Sequence, residues 1–128
     1  MNEEPSREDR RWPRSVYGVG SEPDARFSLA NERTFLAWIR TSLGFLAGGA
    51  GIAAVSTIVG RFSLELKLAS LLLLVCGLVC STGAYVRWVR NERAMRTGQP
   101  LPSSPAMPLL TAVLAAVALL AIVVVGLR

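Results

Sequence analysis

The chain has 128 residues, 52% of them hydrophobic, a formal net charge of +5 and no His. Its two Cys, Cys76 and Cys80, lie inside an apolar run, so the sequence excludes the Cys/His clusters that hold structural metals. The apolar residues fall in runs too long for a soluble domain of this size, which directs the basic surplus toward a membrane surface or another anion and away from nucleic acid.

Residues 1–23 are polar, mixed in charge and interrupted by Pro5, Pro13, Gly18, Gly20 and Pro23. They show neither a two-residue nor a 3.6-residue apolar period, which predicts a disordered cytoplasmic tail. The tail has no apolar core of its own and does not read as a secretory signal. A helix is expected to start near Pro23 and Asp24 or at Ser28, where Pro suits a first turn and Asp or Ser can cap. Its charged part runs to Arg40. Residues 41–60 then carry no charge, the length needed to cross ~30 Å of hydrocarbon, with Trp38 at the mouth.

Read as one helix at ~100° per residue, residues 29–51 place Arg33, Ala37, Arg40, Gly44 and Gly51 on one stripe, with Gly48 at its edge. Phe35, Trp38, Ile39, Phe45 and Leu46 fall on the other side. The stripe begins with guanidiniums and continues with small residues only, and Gly44 to Gly48 is a GxxxG. Small residues let helix backbones approach, so this stripe is expected to pack against other helices.

A short polar interruption, residues 61–67, leads into a second uncharged run, 68–86, bounded by Tyr85 and Trp88. On it Ala69, Cys76, Cys80, Gly83, Arg87 and Arg90 share a stripe. Because the chain doubles back, Arg87 and Arg90 are expected at the same membrane level as Arg33 and Arg40. Residues 97–108 hold four Pro and read as an extended connector. A third run, 108–127, closes the chain.

The fold class expected is therefore all-α and integral to the membrane. It has a tail over 1–23 and a three-helix transmembrane domain over 24–128, spanning at about 41–60, 68–86 and 108–127, with the first helix extended on the cytoplasmic side. Seven Arg precede the first span and four lie between the second and third, against two basic residues in the first loop and one at the C-terminus. Positive-inside counting puts the N-terminus in the cytoplasm and the C-terminus outside.

No catalytic constellation is present: no Ser or Cys has an activating base at a recognisable spacing, and the Gly-rich stretch lies within a span rather than after a strand. The chain is read as a non-enzyme without cofactor or metal. Glu32 and Glu92 occur in matching strings, Asn31-Glu32-Arg33 and Asn91-Glu92-Arg93. Both are expected to pair with Arg, Glu32 with Arg87 or Arg90 or with Arg of a neighbouring copy and not with Arg33, because adjacent helical residues do not face each other. Gly44, Gly48, Gly51 and Gly83 are the expected packing positions. Arg33, Arg40, Arg87 and Arg90 are the anion-binding candidates. The competing reading is that they anchor the helices by reaching lipid phosphates.

The words LANERTFLAW and the IRT that follows resemble the start of the small YidH-like inner-membrane proteins, a bacterial family. A similar three-helix domain forms an oligomeric channel in the vacuolar transporter chaperone, a polyphosphate-synthesising complex. The resemblance implies a membrane-embedded homo-oligomer whose basic residues engage an anionic polymer, with Arg33 in the matching segment. Synthesis is not implied, since the soluble domains of that complex have no counterpart here. The alternative is an assembly subunit of a larger membrane complex. A small proton-coupled exporter fits less well, because the first span lacks a carboxylate.

Overall fold

The computed structural model describes residues 9–61, 63–103 and 106–127. These are all-helical: α1 (Arg14–Tyr17), α2 (Ala25–Val59), α3 (Leu64–Thr97) and α4 (Ala106–Gly126). Asp24 caps α2 by accepting from the Arg26 amide at 2.9 Å, and Ser63 caps α3 by accepting from the Leu66 amide at 3.3 Å. Both helices stop at a glycine in the left-handed conformation, Gly60 at φ +71° and Gly98 at φ +69°.

Three helices, α2, α3 and α4, are long and apolar enough to cross a membrane. At ~1.5 Å per residue the 35-residue α2 and 34-residue α3 are each about 50 Å long, some 20 Å more than a hydrocarbon core. The surplus lies at one end, where the start of α2 and the finish of α3 carry the Arg residues. That end is called the basic end below. The 21-residue α4 is about one core long.

α2 and α3 form an antiparallel hairpin whose seam is built from small and hydroxyl side chains. On α2 the buried positions Ser42, Gly49 and Ser56 recur every seventh residue, and on α3 Ser70, Gly77 and Ala84 do the same. A seven-residue repeat keeps one line of contact facing a partner helix. The seam is reciprocal: the Ser42 hydroxyl donates to the Gly77 carbonyl at 2.6 Å, and the Ser70 hydroxyl donates to the Gly49 carbonyl at 2.8 Å. Each glycine is there because nothing larger fits. A Cβ on Gly49 would lie 2.9 Å from the Ser70 carbonyl oxygen and 2.8 Å from Leu74 Cγ, and one on Gly77 would lie 2.6 Å from Leu46 Cδ2.

The seam differs from the stripe expected at Gly44, Gly48, Gly51 and Gly83. A Cβ on Gly44, Gly51 or Gly83 would meet nothing, and one on Gly48 only Leu73 Cδ1 at 3.5 Å. Within this chain the helix is turned so that the hydroxyl-bearing line faces α3. On that line Ser42 and Ser70 reach carbonyls of the facing helix, whereas hydroxyls on the open faces, such as Thr57 and Thr82, bond carbonyls of their own helix. The glycine stripe stays on a face left open within the chain.

Residues 9–23 also differ from the expected disordered tail; residues 1–8 lie outside the described residues. The segment folds back onto the end of α3. Ser21 donates its amide to the Arg96 carbonyl at 2.9 Å, and Arg93 donates to the Ser15 carbonyl at 2.8 Å. Val16 in α1 is fully buried. Gly20 makes this docking possible, with φ +61° and so close an approach to the Arg96 carbonyl that any Cβ would collide with it. α4, by contrast, has no buried residue and makes no close backbone approach to the other helices.

Candidate functional site

The basic end gathers three polar groupings. The first is buried between α2 and α3. Asn31, in register with Trp38 and Phe45 at seven-residue spacing, donates to the Trp88 carbonyl at 3.1 Å and to Glu92 Oε1 at 3.2 Å. Ser28 donates to Glu92 Oε2 at 3.3 Å, and Asn91 donates to Asn31 Oδ1 at 3.3 Å. Glu92 is only 3% exposed and, among the described residues, meets no cation within ion-pair distance. Its carboxylate is held by neutral donors.

The second grouping joins the N-terminal segment to α3 through Arg96, which is 6% exposed. Its Nε donates to the Val19 carbonyl at 2.9 Å and its Nη2 to the Tyr17 carbonyl at 3.3 Å. Its Nη1 lies 3.5 Å from Glu22 Oε2. Arg11 clamps the same carboxylate from the other side and also grips Asp9. The Arg11 hydrogen bonds hold the Glu22 carboxyl below the usual carboxylate range, and Arg11 does the same to Asp9 more strongly. The Tyr17 ring lies under both guanidiniums, 4.5 Å from Arg11 and 5.4 Å from Arg96. Burial pushes its phenol up.

The third grouping is a cleft of about 530 Å³ between α3 and α4. Its wall is mostly apolar: Val75, Val79 and Val86 from α3 face Leu109 and Val113 from α4. Cys76 and Cys80 also line it, both as free thiols. At the basic end the wall turns cationic, with Arg87, Arg90 and Trp38. The Arg87 guanidinium stacks over Trp38, 5.5 Å from the ring centroid. Its Nη1 is buried and has no hydrogen-bond partner among the described residues. Arg90 is exposed and, like Arg87, forms no ion pair among the described residues. Among the described residues no carboxylate lines the cleft.

Of the four anion-binding candidates, the fold brings two together. Arg87 and Arg90 share the cleft, whereas Arg33 and Arg40 are exposed on α2 and do not line it. Within the chain Glu32 does not make the expected pair: it is exposed and, among the described residues, meets neither Arg87 nor Arg90. The rotation that buries Asn31 turns its neighbour Glu32 outward, and the buried carboxylate is Glu92. The repeated Asn-Glu-Arg string thus acts crosswise, the Asn of one copy on the Glu of the other. Asn31 and Arg96 were missed in the sequence. The seven-residue spacing of Asn31 from Trp38 was the available signal for the first; nothing in the sequence signalled the second.

A family model described as a domain of unknown function (DUF202) matches residues 26–94, nearly all of α2 and α3 up to Ala94. The chain is similar to the inner membrane protein YidH of Escherichia coli K12, with 46% identity over 109 residues, 85% of this chain and 91% of that protein. The YidH of Shigella flexneri matches equally. An uncharacterised protein of Mycobacterium tuberculosis H37Rv is 47% identical over 88 residues, 66% of this chain and 68% of that protein. No solved structure matches the chain.

Proposed function

This chain belongs to the DUF202 family, and from that premise we propose that it is an inner-membrane module that binds a phosphate-type anion at its basic end, on the cytoplasmic side, and catalyses no reaction on it. The inner-membrane placement follows the YidH relatives, and the orientation follows the charge count. One observation carries the reading: among the described residues the buried Arg87 Nη1 has no partner, next to Arg90, in a cleft that no carboxylate lines. A buried donor left unmet is costly, and a guanidinium offers paired donors that suit phosphate oxygens. Arg33 and Arg40 would add to such a site only where copies assemble around a common axis, as the resemblance to the polyphosphate channel implies.

The test is binding of inorganic polyphosphate to the purified protein in detergent. A charge-assisted hydrogen bond contributes about 1.5–3 kcal/mol, and about 1.4 kcal/mol is tenfold in affinity. Arg87→Gln with Arg90→Gln should therefore weaken binding by at least about tenfold. Unchanged affinity in the double variant would remove the reading.

A second reading, a structural subunit of a larger membrane complex, is favoured by α4, which has no buried residue. Mild crosslinking followed by affinity purification should then recover a distinct membrane partner in fixed ratio.

A further inference from the structure

We infer that the cleft between α3 and α4 is a lipid site, holding one acyl chain of an anionic glycerophospholipid with its phosphate at Arg87 and Arg90. This rests on the anion-binding reading and names the ligand class. The cleft has two chemistries in series. Arg87, Arg90 and Trp38 form its mouth, with Asn91 and Ser103 beside them, and Val79 and Val113 belong to its apolar depth. A free inorganic anion would use only the mouth and leave most of the cleft empty. An amphiphile uses both.

The dimensions agree with one leaflet. From Arg87 down to Val75 is about 18 Å along α3 at ~1.5 Å per residue, close to half of a ~30 Å hydrocarbon core. A second copy's transmembrane helix would need the full core, so the depth favours a lipid tail. The volume, about 530 Å³, falls in the range of small-ligand sites. The charge is also specific. The cleft presents two cations and no carboxylate, and the nearby Glu92 is turned into the α2–α3 seam. A zwitterionic headgroup would bring its own cation against Arg90, while a net-negative one would not.

The experiment uses the full chain in phosphatidylcholine vesicles carrying a phosphatidylglycerol probe with a photoreactive diazirine near the end of one acyl chain. Labelled positions are read by mass spectrometry. Labelling should concentrate on Val75, Val79 and Val113, and a phosphatidylcholine probe with the same tail should label them several-fold less. Val79→Trp fills the apolar depth; Val79 is largely exposed within the chain, so the hairpin seam is untouched. It should reduce labelling by about tenfold, a loss of ~1.4 kcal/mol, while polyphosphate binding in detergent stays unchanged. Arg87→Gln with Arg90→Gln should reduce both.

Labelling spread evenly over the exposed faces of α2 and α4, equal labelling by the two probes, or labelling that survives Val79→Trp would each overturn the lipid site. In those cases a polyphosphate affinity still lowered by the Arg variants would leave the anion-binding reading standing. Arg variants that change neither measurement would end both.

Discussion

Replacing Gly49 by Ala separates a seam glycine from a merely apolar-helix glycine. Its new methyl would lie 2.9 Å from the Ser70 carbonyl oxygen and 2.8 Å from Leu74 Cγ. Leu74 can rotate, but the Ser70 carbonyl belongs to the α3 backbone and can move only if the helices separate. Overpacking of this kind costs about 1–3 kcal/mol. Separation also stretches the Ser70 hydroxyl bond to the Gly49 carbonyl, and interhelical hydrogen bonds in membranes average about 0.6 kcal/mol. Against this, Ala is favoured over Gly in a helix by up to about 1 kcal/mol. The net expectation is a loss of about 1–2 kcal/mol. Gly44→Ala meets nothing within 4 Å and should be neutral or stabilising. The assay is reversible unfolding in mixed detergent micelles, followed by the fluorescence of Trp38 and Trp88. If Gly49→Ala were as stable as Gly44→Ala, the seam would not lie where the structure puts it.

Other outcomes follow from the basic end. Asn31→Ala leaves buried Glu92 with only the Ser28 donor and should destabilise the hairpin by about 1.5–3 kcal/mol, the worth of a hydrogen bond to a charged group, in the same unfolding assay; Asn31→Asp, which sets two carboxylates together, should be worse. Arg96→Ala should release residues 9–23 from α3 and expose them to limited proteolysis, whereas Arg33→Ala should not. The Glu22 carboxyl is depressed first by Arg11 within the segment and then by Arg96 on α3; the Arg96 part ties it to docking, so that contribution is present above the ordinary carboxylate value and is lost as pH falls through the depressed one. Protease sensitivity of the N-terminal segment should accordingly rise on acidification below about pH 4 and stay flat between neutral pH and that point. A reporter fused near Ser103 should read cytoplasmic and one fused after the last helix external; the reverse would overturn the charge count.

The three spans were legible because each is an uncharged run of bilayer length, and a helix satisfies its backbone groups within such a run. The rotation of each helix was not. In a soluble helix the polar face marks the outside, but here the lipid-facing and helix-facing sides are both apolar, so periodicity has little to sort. Two seven-residue lines of small residues run along α2, one through Ala37, Gly44 and Gly51 and the other through Ser42, Gly49 and Ser56. The second line faces α3, where Ser42 meets the Gly77 carbonyl and the Gly49 carbonyl receives Ser70, but Ser56 bonds Ile52 in its own helix, so a hydroxyl alone does not reveal the facing side. Arg87 and Arg90 were legible as neighbours because they share a helix face; that this face borders a cleft with α4, apart from Arg33 and Arg40, follows from that same unreadable rotation. The docking of residues 9–23 depends on Arg96 meeting backbone carbonyls of Tyr17 and Val19, a contact without side-chain pattern in the sequence.

The buried seam also explains why the cleft cations are left over. Within α2 and α3 the basic end holds two carboxylates, Glu32 and Glu92, as alternative partners for Arg87 or Arg90. Glu92 follows Arg90 by two residues, so on a helix the two point to nearly opposite sides. With Glu92 facing α2, Arg90 faces the α4 side, where it lines the cleft. Asn31 and Ser28 then satisfy the Glu92 oxygens with neutral donors, which removes any need for an arginine to turn inward. Glu32 is turned outward with the face of α2 beside the seam. A hairpin that instead paired Glu92 with a guanidinium would have consumed the charge internally. Asn31 and Ser28 thus satisfy Glu92 without a cation, and the Arg87–Arg90 pair is left unspent at the cleft.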